Sequence, residues 1–198
     1  MEENKTCSHP GCKNGYVAIA VIVSPDGVVA PTMFCKDHLQ NLGMDLVAPD
    51  LSHYVYQPYD GNYEEFFLHA ILFLYEGDRY DVVLKSLQSK AVFGVPISYA
   101  QAMAIYDAVT KQGTSQYPLI HQLFADVIQR LGGSPREIAV YGYNKNQNVY
   151  DCFLAIEADE ELIKVKCRVS DAIALSIHTG VRIKINAAFF CKDLNAID

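Results

Sequence analysis

The sequence predicts an α+β fold: a mixed or antiparallel sheet with helices packed on it, preceded by a small amino-terminal module. Three observations point there. Short apolar runs bounded by turn residues recur through residues 63–190 and read as two groups of three strands. An Ala-rich helix with capping residues follows each group. Residues 1–45, by contrast, place cysteines and a histidine at close spacings around a hairpin. Residues 46–62, with Pro49, Pro58, Tyr54, Tyr56 and Tyr59, read as a linker that packs on the main domain through its aromatic rings.

In the amino-terminal module, Cys7 and Cys12 flank Ser-His-Pro-Gly, a turn-forming sequence that curls two thiolates toward one point. Cys35 and His38 have the two-residue gap that puts both ligands on one turn at a helix start. Between the pairs, Tyr16–Val23 and Val28–Thr32 read as strands joined around Pro25-Asp26-Gly27. A knuckle, a hairpin and a helix start look like a treble-clef zinc finger. Cys7, Cys12, Cys35 and His38 would then form a closed, structural zinc site, with His9 as the rival ligand. Bound zinc would stabilise a segment too small to build its own core. The bland alternative is unconnected thiols on a small hairpin.

Along the main domain, Glu64–Tyr75 is a continuous apolar run that Phe and Ile enrichment and the Glu76-Gly77-Asp78 turn assign to a strand. Asp81–Leu87 and Ala91–Ile97 complete a meander. Ser98 is placed to cap a helix over Tyr99–Lys111. Tyr117-Pro118 opens a second helix, Leu119–Leu131, stopped by Gly132-Gly133. Arg136–Tyr143, Val149–Glu157 and Leu162–Cys167 form the second meander. A last helix follows, with Ser170 placed as N-cap, Asp171 in its first turn and Gly180 at its left-handed end, before a strand over Val181–Ile185. Its stretch Ala172–Ile177 carries no charge, so it must be covered on several sides. Residues 96–105 and 168–177 align, Ser98 over Ser170, which hints at an internal duplication.

The net charge of −7 is unhelpful to a general phosphate-binding surface, so any anion site must be local. No apolar run reaches the ~18 residues of a membrane span. The start, MEENKTCSHPGC, lacks the basic and apolar regions of a signal peptide, which points to the cytoplasm. There, six cysteines suggest metal ligands or free thiols before disulfides.

Arg168-Val169-Ser170-Asp171-Ala172-Ile173-Ala174-Leu175, followed by Gly180 and a strand, resembles the signature of the bifunctional nuclease (BFN) domain family, Arg-Pro-Ser-Asp-Ala-Ile-Ala-Leu-Ala and then Gly-Ala-Pro-Ile-Tyr-Val. The resemblance runs from about Glu64 to Ile185. Two further blocks match: Gln101-Ala102 stands where the family has Glu-Ala, and Pro118-Leu119-Ile120-His121-Gln122-Leu123 where it has Pro-Leu-Thr-His-Asp-Leu. The resemblance implies a nuclease acting on DNA and RNA with Mg²⁺ or Mn²⁺, in which Arg168 stabilises phosphate charge, Asp171 is metal ligand or general base, and His121 is acid or base. Both family acidic positions are glutamine here, at Gln101 and Gln122, and an amide cannot replace a carboxylate's charge on a hard cation.

Two other readings stand beside it. One is a non-catalytic regulatory module that binds a protein or small ligand, with the zinc module as a protein contact. Lys5, Lys13 and Lys36 stand against six acidic residues up to Asp50, which favours that role over nucleic-acid binding for the module. The other is hydrolysis of a small phosphoester. Homo-oligomers are expected. Arg168, Asp171 and His121 also have a plain structural reading, as a capped helix with a local ion pair and a half-buried histidine near a helix start.

Overall fold

A computed structural model describes residues 6–24, 27–28, 30–41, 61–74, 79–110, 119–144, 147 and 149–189. The linker expected at 46–62 falls outside these residues up to 60, as do Pro25-Asp26, Glu76-Gly77-Asp78 and Tyr117-Pro118.

Among the described residues, ten strands form one mixed sheet. The first meander is β4 (Tyr63–Leu74), β5 (Arg79–Ser86) and β6 (Val92–Ile97), followed by α2 (Tyr99–Thr110). After α3 (Ile120–Arg130), the second is β7 (Ser134–Asn144), β8 (Val149–Ala158) and β9 (Glu161–Cys167), followed by α4 (Val169–Thr179). Strand β10 (Ile183–Asn186) joins the meanders, running antiparallel to β4 and parallel to β7. The α+β class and the strand-strand-strand-helix order are therefore as the sequence implies.

The amino-terminal hairpin continues the same sheet. Strand β1 (Ala18–Ser24) pairs on one edge with β4, Ala18 opposite Leu74 and Ile22 opposite Ala70. Its other edge takes β2 (Gly27–Val28) and β3 (Thr32–Phe34). The single returning strand expected at 28–32 is thus split. Pro31 precedes the second piece, and proline has no N–H to give a ladder. A short α1 (Lys36–Asn41) follows.

Strand β4 reads as unbroken apolar sequence because it serves two layers. Phe66 and Leu68 face the helices, the register then slips between Leu68 and Ala70, and Ile71 takes over that face. A bulge of this kind reverses which residues point to which side. Ala70 and Leu72 therefore face the opposite way, where they pack with Ala18, Ala20, Phe34 and Leu39 of the hairpin and α1.

The helices cover the other face. In α4 the residues Val169, Ser170, Ala172, Ile173, Ala174 and Leu175 are all buried. Gly180 closes the helix at φ 72°, its N–H on the Ser176 carbonyl, as its position implies. Helix α3 is different: Ile128 is its buried residue, while Ile120, Leu123, Phe124, Val127 and Leu131 form an exposed apolar row. No helix among the described residues is long and apolar enough to cross a membrane.

Ile173 is completely buried, so Ile173→Ala is expected to cost about 2–5 kcal/mol. Leu162 on the outer strand β9 is 55% exposed, and Leu162→Ala should stay within about 0.5 kcal/mol. Urea midpoints of the two variants check this.

Candidate functional site

At the amino terminus, a bridge between Thr6 and Gly15 closes the knuckle, and the Cys7 and Cys12 amides donate to the Asn14 and His9 carbonyls. Gly11, at φ 79°, supplies the left-handed turn just before Cys12. On the far side Cys35 leads into α1, and His38 comes round on its first turn. The donor atoms of Cys7, Cys12, Cys35 and His38 all lie within 4.8 Å of one another. Cys35 Sγ is 3.2 Å and Cys7 Sγ 3.4 Å from His38 Nδ1, and Cys12 Sγ is 3.8 Å from Cys35 Sγ. Tetrahedral metal–ligand bonds of 2.0–2.3 Å set ligand edges of about 3.3–3.8 Å, close to these three separations, so the cluster could hold a metal ion. His9, the rival, stacks on the His38 ring at 3.9 Å and points Nδ1 at the Pro10 carbonyl. It braces the His38 ring and stands outside the donor cluster.

The second cluster is built at the head of α4. Helical geometry begins at Val169, so Arg168 is the N-cap residue, extended at φ −77° and ψ 148°. Ser170, expected as the cap, is instead the second residue of the helix, within its first turn. Its buried hydroxyl accepts a 2.7 Å hydrogen bond from Gln101 Nε2. The partner across the helix pair outweighs the local cap, because a buried hydroxyl needs a bond and α4 is covered on that side. Ser98 does cap α2: its N–H donates to Gln101 Oε1 at 2.8 Å, and its hydroxyl takes the Gln101 N–H at 3.4 Å. This is a reciprocal capping box.

Asp171 sits in the first turn of α4 and gathers the other two predicted residues. Arg168 Nε donates to Oδ2 at 2.7 Å and Nη2 to Oδ1 at 3.1 Å. His121 Nε2, from the first turn of α3, lies 3.3 Å from Oδ1. Partial burial pushes the Asp171 pKa up, but hydrogen bonds from Arg168 and His121, with their charges, outweigh burial and hold it below the ordinary carboxyl value. The pair is locked, yet Arg168 is 73% exposed and lines a hollow of about 440 Å³. Lys166, Asp151, Gln101, Tyr143 and Tyr150 line it too.

These residues do not fit Mg²⁺ or Mn²⁺. A hard cation needs several oxygen ligands, and here Asp171 already has both oxygens on a guanidinium. Among the described residues, the group of three or more possible metal ligands is the amino-terminal one. Gln101 and Gln122 do not come together. Gln101 borders the hollow with Arg168, whereas Gln122 borders a separate cavity of about 970 Å³ with His178 and Asp107.

His178 escaped the sequence reading. Its Nε2 is buried without a partner among the described residues, and burial, helped by the charge of His121, lowers its pKa. The available signal was spacing: residues 171 and 178 lie seven apart, on one helix face. Lys166 was missed for want of any motif around it.

The sequence pattern of the bifunctional nuclease domain matches residues 82–193, more than half of the chain. The chain belongs to the bifunctional nuclease domain family. Two relatives, described only as uncharacterized proteins from Mycobacterium tuberculosis strains CDC 1551 and H37Rv, are each 30% identical over 99 residues. That covers half of this chain and 57% of each relative, so the chain spans little more than half the length of the curated relatives it matches. The bifunctional nuclease domain match begins inside β5, leaving β4 and the amino-terminal hairpin with its Cys and His cluster outside it. Within the match, the signature proline falls on Val169, the first helical residue, where proline is well tolerated. Here a buried valine fills the same place.

If the four-residue cluster holds a metal, chelation is expected to deprotect residues 6–41 and the 70–74 edge of β4 in hydrogen exchange, while α4 and β8 stay protected. Uniform loss of protection would contradict this. Because Asp171 is held below its unfolded pKa, its stabilisation is present above about pH 4 and lost as pH falls through the folded value. The stability gap between wild type and Asp171→Asn should therefore shrink below pH 4 in urea titrations.

Proposed function

We propose that this bifunctional nuclease domain cleaves phosphodiester bonds, RNA before DNA, with His121 as the proton-transfer group, Asp171 orienting its ring and Arg168 meeting phosphate. The supporting observation is that His121 and Arg168 converge on one carboxylate and that Arg168, of these three residues, lines an open hollow. Asp171 faces Nε2, which leaves Nδ1 of His121 for chemistry. In RNA the neighbouring 2′-hydroxyl can attack phosphorus as the bond to the 5′-oxygen breaks. That reaction needs a base, an acid and charge stabilisation, and no hard cation. DNA lacks the internal nucleophile. Arg168 uses Nε and Nη2 on Asp171, so Nη1 remains for an anion. At the amino terminus we take the ion to be zinc, a closed structural site in a module of residues 1–45, joined through 46–62 to the domain at 63–190.

A second reading is favoured by the bidentate Arg168–Asp171 pair and the −7 charge: a non-catalytic module that binds without cleaving.

The test incubates purified protein with labelled single-stranded RNA and DNA, with Mg²⁺, Mn²⁺ or EDTA, while zinc content is followed. RNA cleavage leaving 2′,3′-cyclic phosphate should persist in EDTA and fall about 10²–10⁴-fold in His121→Gln. Asp171→Asn should lose most of it without unfolding. Cleavage that requires Mg²⁺ or Mn²⁺ and ignores His121→Gln would overturn the assignment. Tight binding with no cleavage would leave the binding module.

A further inference from the structure

Cys152 and Cys167 lie directly opposite each other across β8 and β9, with their Sγ atoms 3.9 Å apart. Opposed residues of an antiparallel ladder hold their Cα atoms about 4.5–5.5 Å apart, inside the ~4.4–6.8 Å that a disulfide spans. The strand pairing therefore supplies the backbone geometry, and side-chain rotation is what remains. Both residues line the hollow beside Arg168. Cys152 is buried and Cys167 half-buried, so a reagent entering the hollow reaches Cys167 first. Neither belongs to the amino-terminal donor cluster, and neither has a part in the proposed cleavage.

We propose that Cys152 and Cys167 are a reversible dithiol–disulfide site, with Cys167 as the attacking thiol, Cys152 as the resolving thiol and a small-molecule disulfide as oxidant. In the first step the Cys167 sulfur attacks one sulfur of the oxidant, whose S–S bond breaks. One small thiol leaves, carrying the proton that Cys167 gave up. In the second step Cys152 attacks the Cys167 sulfur, and the second small thiol leaves with the Cys152 proton. Two protein thiols are oxidised and one small disulfide is reduced to two thiols. The order of attack agrees with the electrostatics. The Cys152 thiol holds the Cys167 pKa down against burial, while Cys152 itself is held well above the ordinary value by Cys167 and by burial. The new bond would sit one residue before Arg168, at the head of α4.

The experiment treats the full chain, metal retained, with oxidised glutathione, then blocks free thiols and maps peptides by mass. The expected product is a Cys152–Cys167 linkage that has lost two hydrogens, keeps no glutathione and reopens with dithiothreitol. Cys152→Ser should trap glutathione on Cys167, and Cys152→Ala serves the same purpose if a hydroxyl in that buried site prevents folding. Cys167→Ser should give no adduct at Cys152. Glutathione persisting on Cys167 in the wild-type chain would overturn the proposal. So would a pair that stays reduced when folded yet reacts once denatured. The chemical readout is independent of RNA cleavage, so failure of one does not imply failure of the other.

Discussion

The burial of the first two turns of α4 is the constraint that the rest of the domain answers to. Val169, Ala172, Ile173, Ala174 and Leu175 leave almost no solvent-facing surface, and the helix touches α2, α3, β6, β7, β8 and β10. A helix apolar on nearly every side can be stable only when enclosed. Enclosing it requires the two meanders and their helices to close around it. The polar residues at its head are then held where that end of the helix reaches the surface. Arg168 and Asp171 owe their position to this burial more than to their own ion pair, since an exposed pair contributes little by itself.

The two glutamines look different once placed. At Gln101 the local demand is for an acceptor on the Ser98 N–H and a donor to Ser170, and an amide meets both with one side chain. A glutamate could cap the helix equally well but would rely on Ser170 to donate. The family's acidic residue at that position thus has a capping role open to it that needs no metal. Gln122 faces a different cavity, so a carboxylate there would not add to a cluster around Asp171. What the head of α4 presents is one carboxylate shared by two cationic or proton-carrying groups. Such an arrangement suits anion contact and proton transfer better than cation coordination.

The hairpin is tied to the domain by a device inside β4. One slip in register lets a single strand supply apolar residues to the helical layer through Phe66, Leu68 and Ile71, and to the hairpin layer through Ala70 and Leu72. The donor cluster of Cys7, Cys12, Cys35 and His38 pins the outer end of that hairpin, while β1 pins the inner one.

Much of this was legible in the sequence, because it depends on local chemistry. Turn residues and apolar periodicity gave the two meanders and their helices, Gly180 announced its left-handed cap, and cysteine and histidine spacing announced the gathering of Cys7, Cys12, Cys35 and His38. The signature around Arg168 gave the family. Sequence could not say that Ser170 would abandon its cap for Gln101, 69 residues away, or that β4 would slip by one residue. Nor could it say that His121 would meet Asp171, or that Cys152 would face Cys167. Those outcomes were decided by long-range packing: the buried hydroxyl takes the partner that enclosure brings, and strand register brings together groups that the chain itself holds far apart.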